Sequence, residues 1–390
     1  MKTKLNIDYI ALQFIYYITA AVTCGYGVYL LTCIGYSSSE SGTLMSLGCV
    51  LSLFLQPILA QISDNSKRFN IFSIGTILSC VGLIVCCIAF FYDRKSLIAS
   101  ILFIVMRGLH ATVEPFINSV PETIKRHGCR VNFSAGRAMG SFSYAIFSTI
   151  TGFLTERYSY VVFYILNILS YILILCAYIF IRRHFSKLPK ANVENKKIET
   201  VSYGQFIVNH KVFLILCITF AGIFFSYVIP DIFMLFIIEN VGATEQDMGL
   251  VLGFKAILEL PTIFLYDKIE RHISNVKLLK IAVLCFSLKA LCYCLSSSLI
   301  GLYLTQLLQP ISLALMVPAF VSFINKLMNE KEIVRGQSLY VMATTLSSIL
   351  ATTVGGYLID LYSVRTMLDA CLIISTISAI VFCLLVDKCK

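Results

Sequence analysis

The sequence predicts an all-α membrane protein with twelve transmembrane helices in two six-helix, pseudo-symmetric halves. Three observations carry that expectation. Of 390 residues, 58% are hydrophobic and 13% charged, about half the charge of a typical soluble domain. Apolar stretches of the roughly 20 residues needed to cross a ~30 Å hydrocarbon core recur along the whole chain. Short motifs of the first half return in the second at a spacing of 203–204 residues.

The expected spans lie at about 8–34, 42–62, 70–91, 97–119, 134–156 and 159–181, then 208–238, 244–266, 275–295, 298–322, 336–359 and 363–386. Between the sixth and seventh runs a polar segment with six basic and two acidic residues and no apolar run. The chain therefore divides into an N-terminal half (1–181), a cytoplasmic linker (182–207) and a C-terminal half (208–390). An even span count puts both termini on one side, and the Lys/Arg bias says which. Lys2, Lys4, Lys67, Arg68, Lys125, Arg126, Arg130, the linker cluster, Lys268, Arg271, Lys326, Lys331 and Lys388 share that side, against Arg94, Lys95, Arg157 and Arg365 opposite. Both termini are expected in the cytoplasm, with the chain multi-pass in a plasma (inner) membrane. The net charge of +10 reads as this bias, so no nucleic-acid partner is expected. The first span is too long in its apolar stretch to read as a cleaved signal peptide.

The repeat supports the division into halves. GFLTERYS at 152–159 returns as GYLIDLYS at 356–363, and SDNSKR at 63–68 as YDKIER at 266–271. The second pair places Asp64 with Asp267 and Arg68 with Arg271 in the loops after spans two and eight, a structural or gating position. Pro115 and Pro318 keep the same offset. An acidic residue followed by basic ones at these two places resembles the loop signature of the major facilitator superfamily.

Eight ionisable residues are candidates for the middle of the bilayer: Arg107, His110, Glu114, Arg137, Asp231, Lys255, Glu259 and Lys289. Each costs about 2.5–3.5 kcal/mol at the bilayer centre on insertion scales, so most must face one another or water. Arg107, His110 and Glu114 follow at i, i+3 and i+7, one face of span four. Arg137 and Tyr144 share a face of span five, while Lys255 and Glu259 form an i,i+4 pair on span eight. Gly136 and Gly140 make a GxxxG, the pattern of close helix packing.

The fifteen cysteines are scattered, with no CxxC, and read as small core hydrophobes. No HExxH, GxSxG or phosphate-cradling glycine loop occurs, so no catalytic residue, metal site or cofactor is expected, and the chain is not expected to be an enzyme.

VEPFIN (113–118) followed by GRAMGSFSYA (136–145) resembles spans four and five of the oligosaccharide:proton symporters, the lactose permease-like family of the major facilitator superfamily. That resemblance implies that Glu114 and Arg137 hold sugar hydroxyls and that Tyr144, where the family has tryptophan, stacks on a sugar ring. More loosely, Glu259, Lys289 and Asp231 match polar positions of spans eight, nine and seven. Gln309 and Ser312 stand where the family places a histidine and a carboxylate. The implied substrate-binding set is Glu114, Arg137, Tyr144, Glu259, Lys289 and Gln309. Glu259, Asp231, Glu114 and His110 are the candidates for carrying a coupled proton.

The chemistry agrees, because a carboxylate accepts from hydroxyls while a guanidinium fork donates to them. The expected function is proton-coupled symport of a sugar or oligosaccharide by a monomer, its partners being a small-molecule solute, protons and the lipid bilayer. An organic anion or nucleoside as solute, and a non-transporting membrane sensor, stay open at this point.

Overall fold

The computed structural model describes residues 2–65, 69–188, 206, 209–329 and 332–389. Among them every regular element is helical. In chain order these are α1 (Lys2–Gly25), α2 (Gly27–Cys33), α3 (Ser38–Asn65), α4 (Ile71–Ala89), α5 (Leu97–Arg126), α6 (Phe133–Tyr158), α7 (Val161–Phe185), α8 (Lys211–Ile232), α9 (Met234–Asn240), α10 (Glu245–His272), α11 (Asn275–Leu295), α12 (Leu299–Gln306), α13 (Leu313–Leu327), α14 (Ile333–Leu361) and α15 (Val364–Leu385), with a 3₁₀ turn at Val386–Lys388. Most of the expected linker, 189–205 with 207 and 208, lies outside the described residues, as does Arg68.

Among the described residues, ten helices are long and apolar enough to cross a membrane by length and composition. The fifth span, α6, has 26 residues but is diluted by Gly, Ser and Thr. The tenth is split between α12 and α13. Together these elements make the twelve membrane segments in two pseudo-symmetric sets of six.

Span boundaries follow local chemistry. Asn70, Ser96, Asn132, Ser298 and Ser363 each accept from the backbone N–H three residues on, at 3.0–3.3 Å, satisfying a donor that a helix start leaves open. Three spans expected as single helices are broken. The first divides at Tyr26, the seventh at Phe233, and the tenth over 307–312. In the tenth, Pro310 has no N–H to donate. Leu308 N–H and Gln309 N–H turn to Thr305 O and Gln306 O at 3.3 and 2.9 Å, the tighter 3₁₀ pattern, and Ala314 N–H steps back five residues to Gln309 O at 3.4 Å.

The chain forms two compact units: 1–194 with 244–257, and 195–243 with 258–390. In the first, α1 packs on α6 and α7, α4 on α5 and α7, and α3 on α5. In the second, α8 packs on α14 and α15, and α11 on α13 and α15. Span one against five and six, and span three against four and six, thus recur in each unit, as the sequence repeat leads one to expect. The second unit's core is aromatic: Phe220 and Tyr340 lie 4.9 Å from Phe320, with Phe382 at 6.3 Å, all buried. Opposite such faces, helices present apolar stripes outward. Ile373, Ile377, Ile380 and Leu384 on α15 are exposed while Cys371, Ser375, Ala379 and Phe382 are buried, the division a lipid-facing helix needs.

Cysteines split differently from expectation. Cys49, Cys86, Cys217, Cys285, Cys294 and Cys371 are buried, but Cys33, Cys80, Cys87 and Cys176 are exposed. A thiol is apolar enough for an outward face of a membrane helix, so hydrophobicity alone does not place it in the core.

Candidate functional site

In the first unit, α6 begins at the Asn132 cap, which puts Arg137 one turn inside it. Gly136 and Gly140 let α1 approach: a Cβ on Gly136 would lie 2.5 Å from Tyr9 Cε1, and one on Gly140 2.6 Å from Tyr17 Cδ2. The GxxxG is therefore a seat for two tyrosine rings of α1. It also brings Tyr17 against the charge, with the Arg137 guanidinium 5.0 Å from the ring centroid, a cation–π contact.

Arg137 Nη1 donates to Glu114 Oε1 of α5 at 3.5 Å, and both side chains are about 40% exposed. This is a long, single contact, at the outer limit for a hydrogen bond. Glu114 is also hydrogen-bonded by Asn118. Asn118 Oδ1 in turn accepts from Gln13 Nε2 at 3.0 Å, which reaches Tyr9 OH at 2.8 Å. With its Oδ1 occupied as acceptor, the Asn118 amide N–H is the group left to donate to the carboxylate. A polar chain thus runs Tyr9–Gln13–Asn118–Glu114–Arg137 across α1, α5 and α6.

Two expected neighbours stand apart from this pair. Tyr144 is half-buried two turns further along α6, beside Gly25, and Tyr17 holds the place against Arg137 instead. His110 is buried against α1, its ring 4.9 Å from that of Tyr16 and within 3° of parallel. Its Nδ1 lies 3.2 Å from Thr19 Oγ1 and its Nε2 3.3 Å from Tyr16 OH. Thr19 O–H donates to Tyr16 O at 2.6 Å and Tyr16 O–H to His110 O at 3.2 Å, so the imidazole is held on both sides by groups of α1.

The second unit holds its own cluster. Lys289 on α11 is buried and donates to Gln309 Oε1. Gln309 Nε2 donates to Glu259 Oε1 at 2.6 Å. One amide, at the break in span ten, thereby links a buried ammonium to a carboxylate through two charge-assisted hydrogen bonds. Tyr227 and Tyr293 flank the ammonium at 5.9 and 5.8 Å, and Gln306 Nε2 fixes Tyr293 OH at 2.8 Å. Lys289, Tyr227 and Tyr293 share a small cavity with Asp231, Ser226 and Phe286. Ser312 is buried at the start of α13, with its hydroxyl on Gln309 O at 3.3 Å.

The residues expected in loops lie inside helices instead, Asp64 in the last turn of α3 and Asp267 and Arg271, both exposed, toward the end of α10, because both helices run past the apolar stretch. The acidic group that ties α10 to α13 is Glu270, 2.7 Å from Lys326 Nζ and 2.5 Å from Ser322 Oγ. Sequence reasoning passed over Glu270, Tyr17, Gln13 and Gln306. The signal present for Gln13 and Gln306 was an amide inside an apolar span, which is expensive without a partner.

The MFS_1 like family matches residues 7–370. The chain is 22% identical over 343 residues to the maltose permease of Geobacillus stearothermophilus, covering 86% of this chain and 83% of the permease. It is also 22% identical over 335 residues to the uncharacterized transporter YwbF of Bacillus subtilis (strain 168), covering 84% and 80%. Among solved structures, a point mutant of the nucleoside transporter NupG superposes with a TM-score of 0.79 at 13% identity, covering 99% of this chain and 100% of the other. With a family match spanning nearly the whole chain, and a fold of twelve membrane segments, this protein belongs to the MFS_1 like family and is a multi-pass membrane transporter of the major facilitator type.

Proposed function

We propose that this transporter carries a sugar or oligosaccharide together with a proton, by alternating access of two six-helix halves, 1–181 and 208–390, joined by the segment 182–207. The observation that carries the reading is the Glu114–Arg137 pair at 3.5 Å. A carboxylate and a guanidinium side by side offer acceptors and a donor fork together, which suits hydroxyls that do both. Their half-exposed state leaves room for a solute to replace the long direct contact with shorter ones. Tyr17 supplies an aromatic face at Arg137, and Tyr144 a second ring two turns further along α6. The similarity to a protein named maltose permease supports the same solute class.

Glu259, Lys289 and Gln309 form the polar site of the second unit, where Glu259 and Asp231 stand beside Glu114 and His110 as carriers of the proton. The protein acts as a monomer in the plasma (inner) membrane with both termini in the cytoplasm. The test is purified protein in proteoliposomes with a pH-sensitive dye inside, challenged with panels of sugars, nucleosides and organic acids. Sugar addition is expected to acidify the lumen in step with uptake. A flat trace with labelled sugar entering rejects proton coupling, and binding without flux identifies a sensor.

A further inference from the structure

Arg107 is an intramembrane charge of α5 that the Glu114–Arg137 reading leaves unused. Its Nε is buried with no hydrogen-bond partner, and among the described residues its guanidinium makes no hydrogen bond or ion pair. Its electrostatic neighbours are the thiols of Cys24 and Cys49, the hydroxyl of Tyr16 and the carboxylate of Glu114; of these only Glu114 is an acid ionised near neutral pH in water, and it makes no hydrogen bond or ion pair with Arg107. Glu114, seven residues on, makes its direct contacts to Arg137 and Asn118 and is felt by Arg107 only through space. His110, three residues on, is held by Tyr16 and Thr19.

The position is also built. Where α3 crosses α5, a Cβ on Gly48 would lie 2.5 Å from Arg107 Cγ and 2.6 Å from its Cβ, and one on Gly108 would lie 3.1 Å from Gly48 O. Two glycines thus let the Arg107 stem lie across α3, a packing that any larger residue at 48 would displace. A guanidinium with an unused N–H, carried through the membrane interior on a shaped seat, is a site for an anion.

We propose that Arg107 is an anion subsite of the first unit and that the preferred solute is a saccharide bearing a carboxylate. The proposal rests on the saccharide reading of Glu114 and Arg137. Arg107 and Glu114 share a helix face, separated by about 10 Å at 1.5 Å rise per residue, the length of about two sugar rings. A disaccharide whose hydroxyls reach Glu114 and Arg137 therefore sets a terminal acid group at Arg107. The charge on these two helices favours an anion. Of the charges on α5 and α6 inside the membrane, Arg107 and Arg137 are positive and Glu114 negative, leaving one positive charge to balance. A carboxylate also matches the planar fork of the guanidinium.

The test compares a neutral disaccharide with its aldonic or uronic acid, maltose with maltobionate for instance, by calorimetry on the full chain in nanodiscs. Wild type is expected to bind the acid at least tenfold more tightly. Arg107→Gln is expected to bring that ratio to about one, and Arg107→Lys, which keeps the charge but loses the fork, to an intermediate value. Gly48→Ala shifts the stem without removing the charge and is expected to lower the ratio too, which keeps the test open if Arg107→Gln does not fold. Equal binding of acid and neutral sugar by wild type, or a ratio that survives Arg107→Gln, overturns the subsite while leaving the saccharide reading standing. Binding of neither sugar, with Arg107-dependent binding of a non-sugar carboxylate such as benzoate, supports the anion subsite and overturns the saccharide reading.

Discussion

Arg137 donates to one oxygen of Glu114 at 3.5 Å and lies 5.0 Å over Tyr17, so charge and planarity are both in use. Lysine at this place keeps a point charge but neither the fork nor the stacking plane. Arg137→Lys is expected to lower the rate of solute uptake at least tenfold in proteoliposomes while thermal unfolding stays within about 1 kcal/mol of wild type, the scale of an exposed ion pair. Full uptake by the lysine variant identifies Arg137 as a headgroup-seeking residue. Gly136 has a separate task in seating Tyr9. Gly136→Ala is expected to destabilise by about 1–3 kcal/mol, the usual cost of overpacking, measured as a lower unfolding temperature in detergent. Combining it with Tyr9→Ala is expected to recover part of that loss, a coupling between touching residues. The glycines and the arginine were visible in the sequence as a motif. The ring facing the arginine was not, because Tyr17 lies 120 residues away and only the α1–α6 packing brings them together.

At the level of single elements, span ten is informative because it is not one helix. Pro310 and the short-range hydrogen bonds around it divide α12 from α13, and Gln309 at that break bridges Lys289 to Glu259. Gln309→Ala removes both bonds at once. It is expected to cost about 2–5 kcal/mol, within the range for breaking a buried charge-assisted network, read as a fall in unfolding temperature. Glu259→Gln in that background is expected to cost little more, since the relay is already gone. The sequence shows a proline and two glutamines in an apolar run, from which a polar site follows. That the helix unwinds there does not follow, since prolines at 57, 115, 121, 261 and 318 sit inside continuous helices. Whether a proline breaks or only bends a helix depends on what the neighbouring helices offer the freed backbone groups.

For the whole molecule, the distribution of Lys and Arg between the two sides predicts orientation. A fluorescent reporter fused to the C-terminus is expected to be active in intact cells, whereas a periplasmic phosphatase fused there is expected to be silent. The reverse pattern overturns the proposed topology. Solute-driven lumen acidification, described above, tests coupling at the same scale.

Length, hydropathy and the repeat at 203–204 residues by themselves determined an all-helical membrane fold of twelve segments in two related sets, because in lipid every backbone polar group must be satisfied within a helix. One-face spacing on α5 also marked Arg107, His110 and Glu114 as a group. Tertiary structure decided how that group is divided. Glu114 turns to Arg137, His110 to Tyr16 and Thr19, and Arg107 keeps an unpaired N–H. Residues three and four apart on a helix share a face, but their partners belong to other helices, and which partner comes within hydrogen-bond reach is set by where α1, α3 and α6 cross α5.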